Sequence, residues 1–256
     1  MLIDLPTTNF FNLHDGEVIA YKHEQGTSQD GVLFLPGFRS SMDSTKSKAI
    51  YNFCKENSLE FTTFDYYGHG ESSGDDGTKG TIGRWFADSL AILDSVTKSP
   101  TQILIGSSMG AWLMILLALE RKQRIKGLIG IASAPDFSIL LEEQIARDEN
   151  LTKQMTELDF CTLPSKYDAN GYKIHKTWLE EAKKHYILSK SMIDIECPVR
   201  LFHGTRDEDI PLDYANMLLD QLNTNDKVLY SIEDGDHRLS KHHEIEIILD
   251  GINEII

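Results

Sequence analysis

The sequence predicts an α/β fold with a doubly wound, mainly parallel sheet and a small helical cap insertion. Short apolar segments typical of buried strands alternate with longer segments of helical periodicity along most of the chain. At 256 residues the chain has the length of one α/β domain with an insertion. Its 41% apolar and 25% charged residues are the balance of a globular domain with an ordinary core.

The first half of the chain predicts an edge hairpin followed by strand–helix units. Asp15-Gly16 is expected to form a two-residue turn between the hairpin strands. The expected elements, in order, are a hairpin over residues 10–21, strands over 31–35, 60–64 and 103–105, and helices over 44–57, 81–96 and 111–119.

The second half predicts a return to this pattern after an interruption. Residues 135–195 are charged, helical in character and without clear strands, so we interpret them as a helical cap inserted into a core formed by residues 1–134 and 196–256. The expected core elements are strands over 125–131, 198–203 and 228–232, and helices over 212–222 and 240–256, the last with Ser240 as its N-cap.

A Gly-x-Ser-x-Gly motif, residues 106–110, lies between a buried strand and a buried helix. Such a turn holds its serine in a strained backbone conformation, which costs about 1–3 kcal/mol and exposes the hydroxyl. Gly106 and Gly110 are expected where crossing backbones leave no space for a Cβ. Ser108 is therefore the candidate nucleophile, although a serine at such a turn can also be a simple N-cap.

A serine nucleophile needs a histidine base that a carboxylate orients, and on this scaffold the chain order is Ser, acid, His. Asp207 follows the next-to-last predicted strand, and His237 follows the last. Because ligands bind at the carboxyl ends of parallel strands, both should meet Ser108 on one rim. The expected oxyanion donors are the backbone N–H groups of Met109 and Phe38.

Other residues compete for these roles. Asp209 is an alternative acid, although its neighbours Ile210-Pro211 favour a loop-shaping role. His69 in a glycine-rich turn and His203 at a strand end are interpreted as structural histidines, and Asp236 is expected to point away from the base. His242 and His243 are expected on the solvated face of the last helix, without the spacing of a metal site.

Charge and composition exclude several classes of function. A net charge of −15 argues against nucleic acid or an anionic membrane as partner. The three cysteines, Cys54, Cys161 and Cys197, have no metal or redox spacing and are expected to be free thiols in a reducing compartment. We expect no secretory signal, because residues 1–6 lack a basic region followed by an apolar run, and no membrane insertion, because the longest apolar segment is too short.

These motifs together resemble the α/β-hydrolase superfamily. The matching stretches are residues 35–38, 65–72, 106–110, 203–207 and 235–237. Residues 106–114, 163–167 and 236–238 are similar to the branch of mitochondrial palmitoyl-protein thioesterases, also described as acyl-glucuronide esterases. The resemblance implies Ser108, Asp207 and His237 as the triad, the Phe38 and Met109 amides as the oxyanion hole, and neither a metal nor an organic cofactor.

The expected function is that of a serine esterase or thioesterase acting on small-molecule or protein-linked acyl substrates, such as a protein depalmitoylase. The alternatives are a serine peptidase of the same fold and a non-catalytic binding module. Apolar residues of the cap are expected to line an acyl tunnel or to form the cap's own core; they are Ile139, Leu140, Leu141, Met155, Leu158 and Phe160. The targeting region of the mitochondrial branch is absent, so we expect a cytoplasmic protein, or a matrix protein if the chain is processed.

Overall fold

The structure, a computed structural model, describes residues 3–74, 79–166 and 168–256. Its centre is an eight-stranded sheet with the strand order β1-β2-β4-β3-β5-β6-β9-β10. The strands of this sheet are β1 (Asn9–Asn12), β2 (Val18–Glu24), β3 (Asp30–Leu35), β4 (Glu60–Phe64), β5 (Thr101–Ser107), β6 (Ile125–Ile131), β9 (Val199–Gly204) and β10 (Lys227–Ile232).

The sheet is parallel from β4 to β10 and antiparallel at the β1 and β2 edge. This arrangement confirms the predicted mainly parallel sheet with an antiparallel hairpin at its edge. The hairpin turn itself was predicted wrongly. Five residues, 13–17, connect the strands, and the N–H of Leu13 bonds to the carbonyl of Glu17. Gly16 has a φ of +87° there, so the Asp15-Gly16 pair lies within a longer loop.

Helices cover both faces of the sheet. They are α1 (Thr45–Glu56), α2 (Ile82–Ser95), α3 (Met109–Glu120), α4 (Ser138–Arg147), α5 (Glu149–Leu158), α6 (Lys176–Ala182), α7 (Leu212–Gln221) and α8 (His242–Asn253). Side chains of α1 and α8 form one core layer with one face of the sheet. Side chains of α2, α3, α7 and the segment between β6 and β9 form the larger layer on the other face.

Local sequence explains where several helices begin. Ser44 accepts a hydrogen bond from the N–H of Ser47, and Thr81 accepts one from Arg84, so both side chains cap their helices. The last helix begins at His242 rather than at Ser240. There the N–H of Lys241 donates to Glu244 Oε2 at 2.8 Å, a carboxylate cap that replaces the expected serine cap.

The segment between β6 and β9 is not purely helical, which corrects the sequence interpretation. Besides α4, α5 and α6 it contains a two-stranded antiparallel sheet, β7 (Phe160–Leu163) and β8 (Tyr172–His175). Each strand has four residues, which is too short for a clear alternating pattern. Residues 75–78, and Tyr167 of the 163–167 stretch, lie outside the described residues. Among the helices of the described ranges, none has the length and apolar character needed to cross a bilayer.

Candidate active site

Ser108 lies at a sharp turn between β5 and α3. Its backbone has φ +55° and ψ −118°, a strained conformation for a residue with a side chain. A Cβ added at Gly110 would lie 2.1 Å from the carbonyl oxygen of Leu35, and one at Gly106 would lie 2.5 Å from Ala111. Both glycines therefore permit the close crossing of strand and helix that the motif predicts.

His237 and Asp207 lie beside this serine in a continuous chain of contacts. His237 Nε2 is 3.0 Å from Ser108 Oγ, and His237 Nδ1 is 2.8 Å from Asp207 Oδ2. Since a carboxylate can only accept, Nδ1 carries the proton and Nε2 is available to accept the serine proton. The carboxylate of Asp207 is fully buried, while 14% of the His237 side chain is exposed to the cleft. The arrangement can activate a hydroxyl for attack on a carbonyl carbon.

Asp207 is held by several donors. Its Oδ1 accepts the N–H groups of Asp209 and Ile210, both at 2.9 Å, while Oδ2 faces His237. Burial alone would raise the pKa of Asp207, but the hydrogen bonds from His203, His237 and Ile210 outweigh it and keep that pKa well below 3.8. The carboxylate is therefore charged at neutral pH.

His203 contacts Asp207, and this contact could not be read from the sequence. Its Nε2 lies 2.9 Å from the carbonyl oxygen of Ile210 and 3.3 Å from Asp207 Oδ2. Both neighbours are acceptors, so Nε2 carries the proton. His203 is completely buried, which agrees with the predicted structural role.

The expected oxyanion donors belong to two elements, the start of α3 and the loop after β3. Met109 is the first residue of α3, and its N–H therefore has no acceptor within its own helix. Phe38 follows β3 in a loop, and among the described residues no acceptor receives its N–H. Phe38 lines the cleft at Ser108, and Met109 follows Ser108 in the chain. These two assignments stay predictions.

The remaining candidates lie where their structural interpretation requires. Asp209 Oδ1 is 3.2 Å from the ammonium nitrogen of Lys166, and Asp236 Oδ1 accepts the N–H groups of Arg238 and Leu239. His242 and His243 are exposed on α8. Cys54 and Cys161 are buried, Cys197 is half-buried, and all three are free thiols.

One atom each of Asp207, Asp209 and His237 lies within 4.8 Å of the others, so these residues could geometrically hold a cation. The ammonium of Lys166 beside Asp209 opposes a further positive charge there.

A cleft of about 790 Å³ opens at Ser108 and His237. Apolar residues of the segment between β6 and β9 form part of its lining, and the polar residues of the lining carry charges of both signs. The apolar residues of the lining are Phe38, Phe137, Leu140, Leu141, Leu163, Pro164, Tyr172, Ile174 and Ile210. Of the six expected acyl-tunnel residues, Leu140 and Leu141 line this cleft, whereas Ile139, Met155, Leu158 and Phe160 are not part of its wall.

Comparisons with known proteins extend these observations. A protein-family model described as serine aminopeptidase, S33, matches residues 27–160. The mouse mitochondrial palmitoyl-protein thioesterase ABHD10 is 36% identical over 249 residues, covering 97% of this chain and 82% of the relative. The human protein of the same name is 34% identical over 249 residues, covering 97% of this chain and 79% of the relative.

Solved structures show the same similarity. Alpha/beta hydrolase domain-containing protein 10 from mouse superposes with a TM-score of 0.87 at 34% identity, covering 97% of both chains. A hydrolase from Agrobacterium vitis S4 superposes with a TM-score of 0.91 at 31% identity, covering 98% of both chains. Since this coverage is nearly complete, the similarity includes the segment between β6 and β9 as well as the central sheet.

Proposed function

The chain belongs to the α/β-hydrolase superfamily and is a hydrolase related to the palmitoyl-protein thioesterase ABHD10, and on this premise we propose that it cleaves acyl thioesters or carboxylic esters with Ser108 as nucleophile. One observation carries the proposal. The strained Ser108 contacts His237 at 3.0 Å, and His237 contacts the charged Asp207 at 2.8 Å.

The proposed reaction has two halves. Ser108 Oγ attacks the acyl carbonyl carbon while its proton moves to His237 Nε2, and the carbonyl electrons move onto the oxygen. The amides of Phe38 and Met109 stabilise this oxyanion, each donor being worth about 2.7–4 kcal/mol of barrier. As the carbonyl re-forms, the bond to the leaving thiolate or alkoxide breaks, and His237 protonates that group. Water, deprotonated by His237, then attacks the acyl-enzyme and releases the carboxylic acid and Ser108.

The cleft supports an acyl substrate. Its apolar residues, which include Leu140 and Leu141 of α4, can contact an aliphatic acyl group. Within this class of hydrolases we propose the activity for which the mouse and human relatives are named, that of a palmitoyl-protein thioesterase.

A serine peptidase of the same fold is the second candidate, because the matching family model is described as a serine aminopeptidase. An aminopeptidase needs a carboxylate for the substrate's terminal ammonium. Glu208 and Asp209 lie in the cleft, but the ammonium of Lys166 is 3.5 Å from the first and 3.2 Å from the second. These two acids are already partly neutralised and are therefore weak partners for a substrate ammonium, which leaves Asp168 as the third carboxylate of the cleft that a peptidase could use.

The test is hydrolysis of matched acyl chains of increasing length, presented as thioesters, as oxygen esters and as aminoacyl anilides. Ser108→Ala is the inactive blank, and Ser95→Ala, at an exposed serine of α2 outside the cleft, is the matched control. We expect the rate of hydrolysis to be highest for long-chain thioesters and to be absent in Ser108→Ala. Preference for the anilides would support the peptidase instead.

A fluorophosphonate probe tests whether the site is catalytic at all. We expect labelling of the wild type and of Ser95→Ala, and no labelling of Ser108→Ala. An unlabelled, well-folded wild type would leave the non-catalytic binding module as the better interpretation.

The curated relatives are named as mitochondrial, and for this chain we propose a cytoplasmic location with the mitochondrial matrix as the alternative. Fractionation of the native cells followed by immunoblotting distinguishes the two.

A further inference from the structure

The loop that carries Phe38, residues 36–42 (the oxyanion loop), is held by side chains from the segment that follows β4. Three of its backbone groups bond to that segment, one near its start, one next to Phe38 and one at its end. The bonds run from Tyr66 Oη to the Pro36 carbonyl at 2.9 Å, from the Arg39 N–H to His69 Nε2 at 3.1 Å, and from the Met42 N–H to Asp65 Oδ1 at 2.6 Å.

The central bond requires one form of His69. Its Nδ1 lies 3.2 Å from the carbonyl oxygen of Tyr67, which can only accept, so Nδ1 carries the proton. Its Nε2 accepts from the N–H of Arg39, so that nitrogen has no proton. His69 is therefore neutral, with its tautomer set by a partner on each ring nitrogen. Burial lowers the pKa of His69 to about 4, with a smaller contribution from the nearby Arg39 and against the opposing effect of the bond to Tyr67. This agrees with a neutral ring.

The held groups flank the peptide that matters for catalysis. The Phe38 N–H belongs to the peptide between Gly37 and Phe38. Tyr66 holds the carbonyl of the preceding peptide, and His69 holds the N–H of the following one. Arg39 has a φ of +56°, so the chain reverses immediately after Phe38 in a conformation that non-glycine residues rarely adopt.

Packing adds to these bonds. The His69 ring lies edge-on to the rings of Phe38 and Trp85, with centroid distances of 6.3 Å and 5.2 Å, and only 6% of His69 is exposed. Neither His69 nor Tyr66 lines the cleft at Ser108. They therefore reach the substrate through the oxyanion loop and not directly.

We propose that His69 is a positioning residue whose neutral ring aims the Phe38 N–H at the oxyanion, with Tyr66 supporting the same loop from its other side. The inference rests on the proposed function, in which the Phe38 amide is an oxyanion donor. The loop is thereby preorganised before substrate binds, so the donor does not have to reorient as negative charge develops.

The experiment compares His69→Gln, whose side-chain oxygen can accept the Arg39 N–H, with His69→Leu, which offers no acceptor. His243→Leu, at an exposed histidine of α8, is the matched control. For the preferred ester or thioester we expect His69→Leu to lower kcat by about 10–100-fold with KM within about threefold, since loss of a whole oxyanion donor costs about 10²–10³. His69→Gln should recover at least about tenfold of that loss.

A second readout separates positioning from general damage. A trifluoromethyl ketone forms a tetrahedral adduct with the serine, whereas the product carboxylic acid does not. We expect His69→Leu to lower the affinity for the ketone by about the same factor as it lowers kcat, and to leave the affinity for the acid unchanged. Equal weakening of both ligands, or a Gln variant no better than Leu, would overturn the proposal.

Tyr66→Phe keeps the test decisive if the His69 variants do not fold. It removes the hydroxyl on the Pro36 carbonyl and keeps the ring, and we expect a smaller loss of kcat with the same selective weakening of the ketone. Wild-type kcat and ketone affinity in this variant would overturn the proposal. Failure of the proposed function is recognised separately, because the wild type itself would then show no turnover dependent on Ser108.

Discussion

Asp136 joins the two ends of the segment between β6 and β9, and its replacement tests how that segment is anchored. The residue follows β6 with a φ of +55°, and only 1% of it is exposed. Its Oδ2 accepts the N–H groups of Ile187 and Leu188 at 3.0 and 2.8 Å, and Oδ1 also lies 3.0 Å from the Ile187 nitrogen.

The structure sets the size of the expected effect. Asp136→Ala leaves two donors without an acceptor, each costing about 1–3 kcal/mol if buried. Ile187 is completely buried, but Leu188 is half-buried and water can reach it, so we expect a loss of about 2–4 kcal/mol in the free energy of unfolding. Asp136→Asn keeps an oxygen for both donors and should cost at most about 1.5 kcal/mol.

Urea unfolding followed by tryptophan fluorescence measures both values. Asp159→Ala is the matched control, because Asp159 is exposed and has a φ of +59° without a comparable set of bonds. It isolates the cost of alanine in a left-handed conformation, about 1 kcal/mol. An Asp136→Ala variant no less stable than this control would refute the anchoring role.

The pH dependence gives a further check. Burial raises the pKa of Asp136 above 3.8, opposed by the bonds from Ile187 and Leu188. The folded protein therefore binds this proton more tightly than the unfolded chain does, and the resulting stability is present below pH 3.8 and lost as the pH rises through the folded-state pKa. As the pH increases through this pKa, the free energy of unfolding of the wild type should fall relative to that of Asp136→Asn. The opposite trend would contradict the assigned burial.

Four further predictions concern the site. Asp207→Asn should lower kcat by about 10⁴ in steady-state assays, by analogy with serine protease triads. The pKa of Asp207 is held below 3.8 in the folded protein, so its ionised carboxylate stabilises the fold above pH 3.8, and this stabilisation is lost as the pH falls further. Urea unfolding of wild type and Asp207→Asn at several pH values measures the difference in the free energy of unfolding. His203→Gln, which keeps a donor for Asp207, should retain at least about tenfold more kcat than His203→Leu. Gly110→Ala should destabilise the fold by about 1–3 kcal/mol and abolish turnover, because its Cβ would meet the Leu35 oxygen at 2.1 Å; an active, stable variant would contradict this.

The centre of the sheet could be predicted well because strands such as β3, β5 and β6 are buried on both faces and appear as continuous, mostly apolar segments. Strand β4 has the predicted bounds 60–64, and β6 has the predicted bounds 125–131. The segment between β6 and β9 was harder, since its two strands have four residues each and pack on one side only. The extent of that segment as a separate cap, residues 135–195, stays a prediction.

For the site, chain order and strand ends were enough to select Ser108, Asp207 and His237 as a set, and the structure brings these three side chains into contact. Their catalytic roles stay predictions. The partners that hold them could not be derived from the sequence. The contact of His203 with Asp207, and that of His69 with Arg39, depend on how loops fold over the rim of the sheet, which no local pattern records.

The partners of three histidines explain why the base is assigned to His237 and not to its neighbours. His203 Nε2 faces two acceptors and lies in a completely buried position. His69 already uses its free lone pair on a backbone N–H. His237 is the one of the three that lines the cleft, and its unprotonated nitrogen faces a hydroxyl whose proton can be removed. A base must have a lone pair that the substrate-bearing cleft can reach, and among these three residues His237 alone meets that condition.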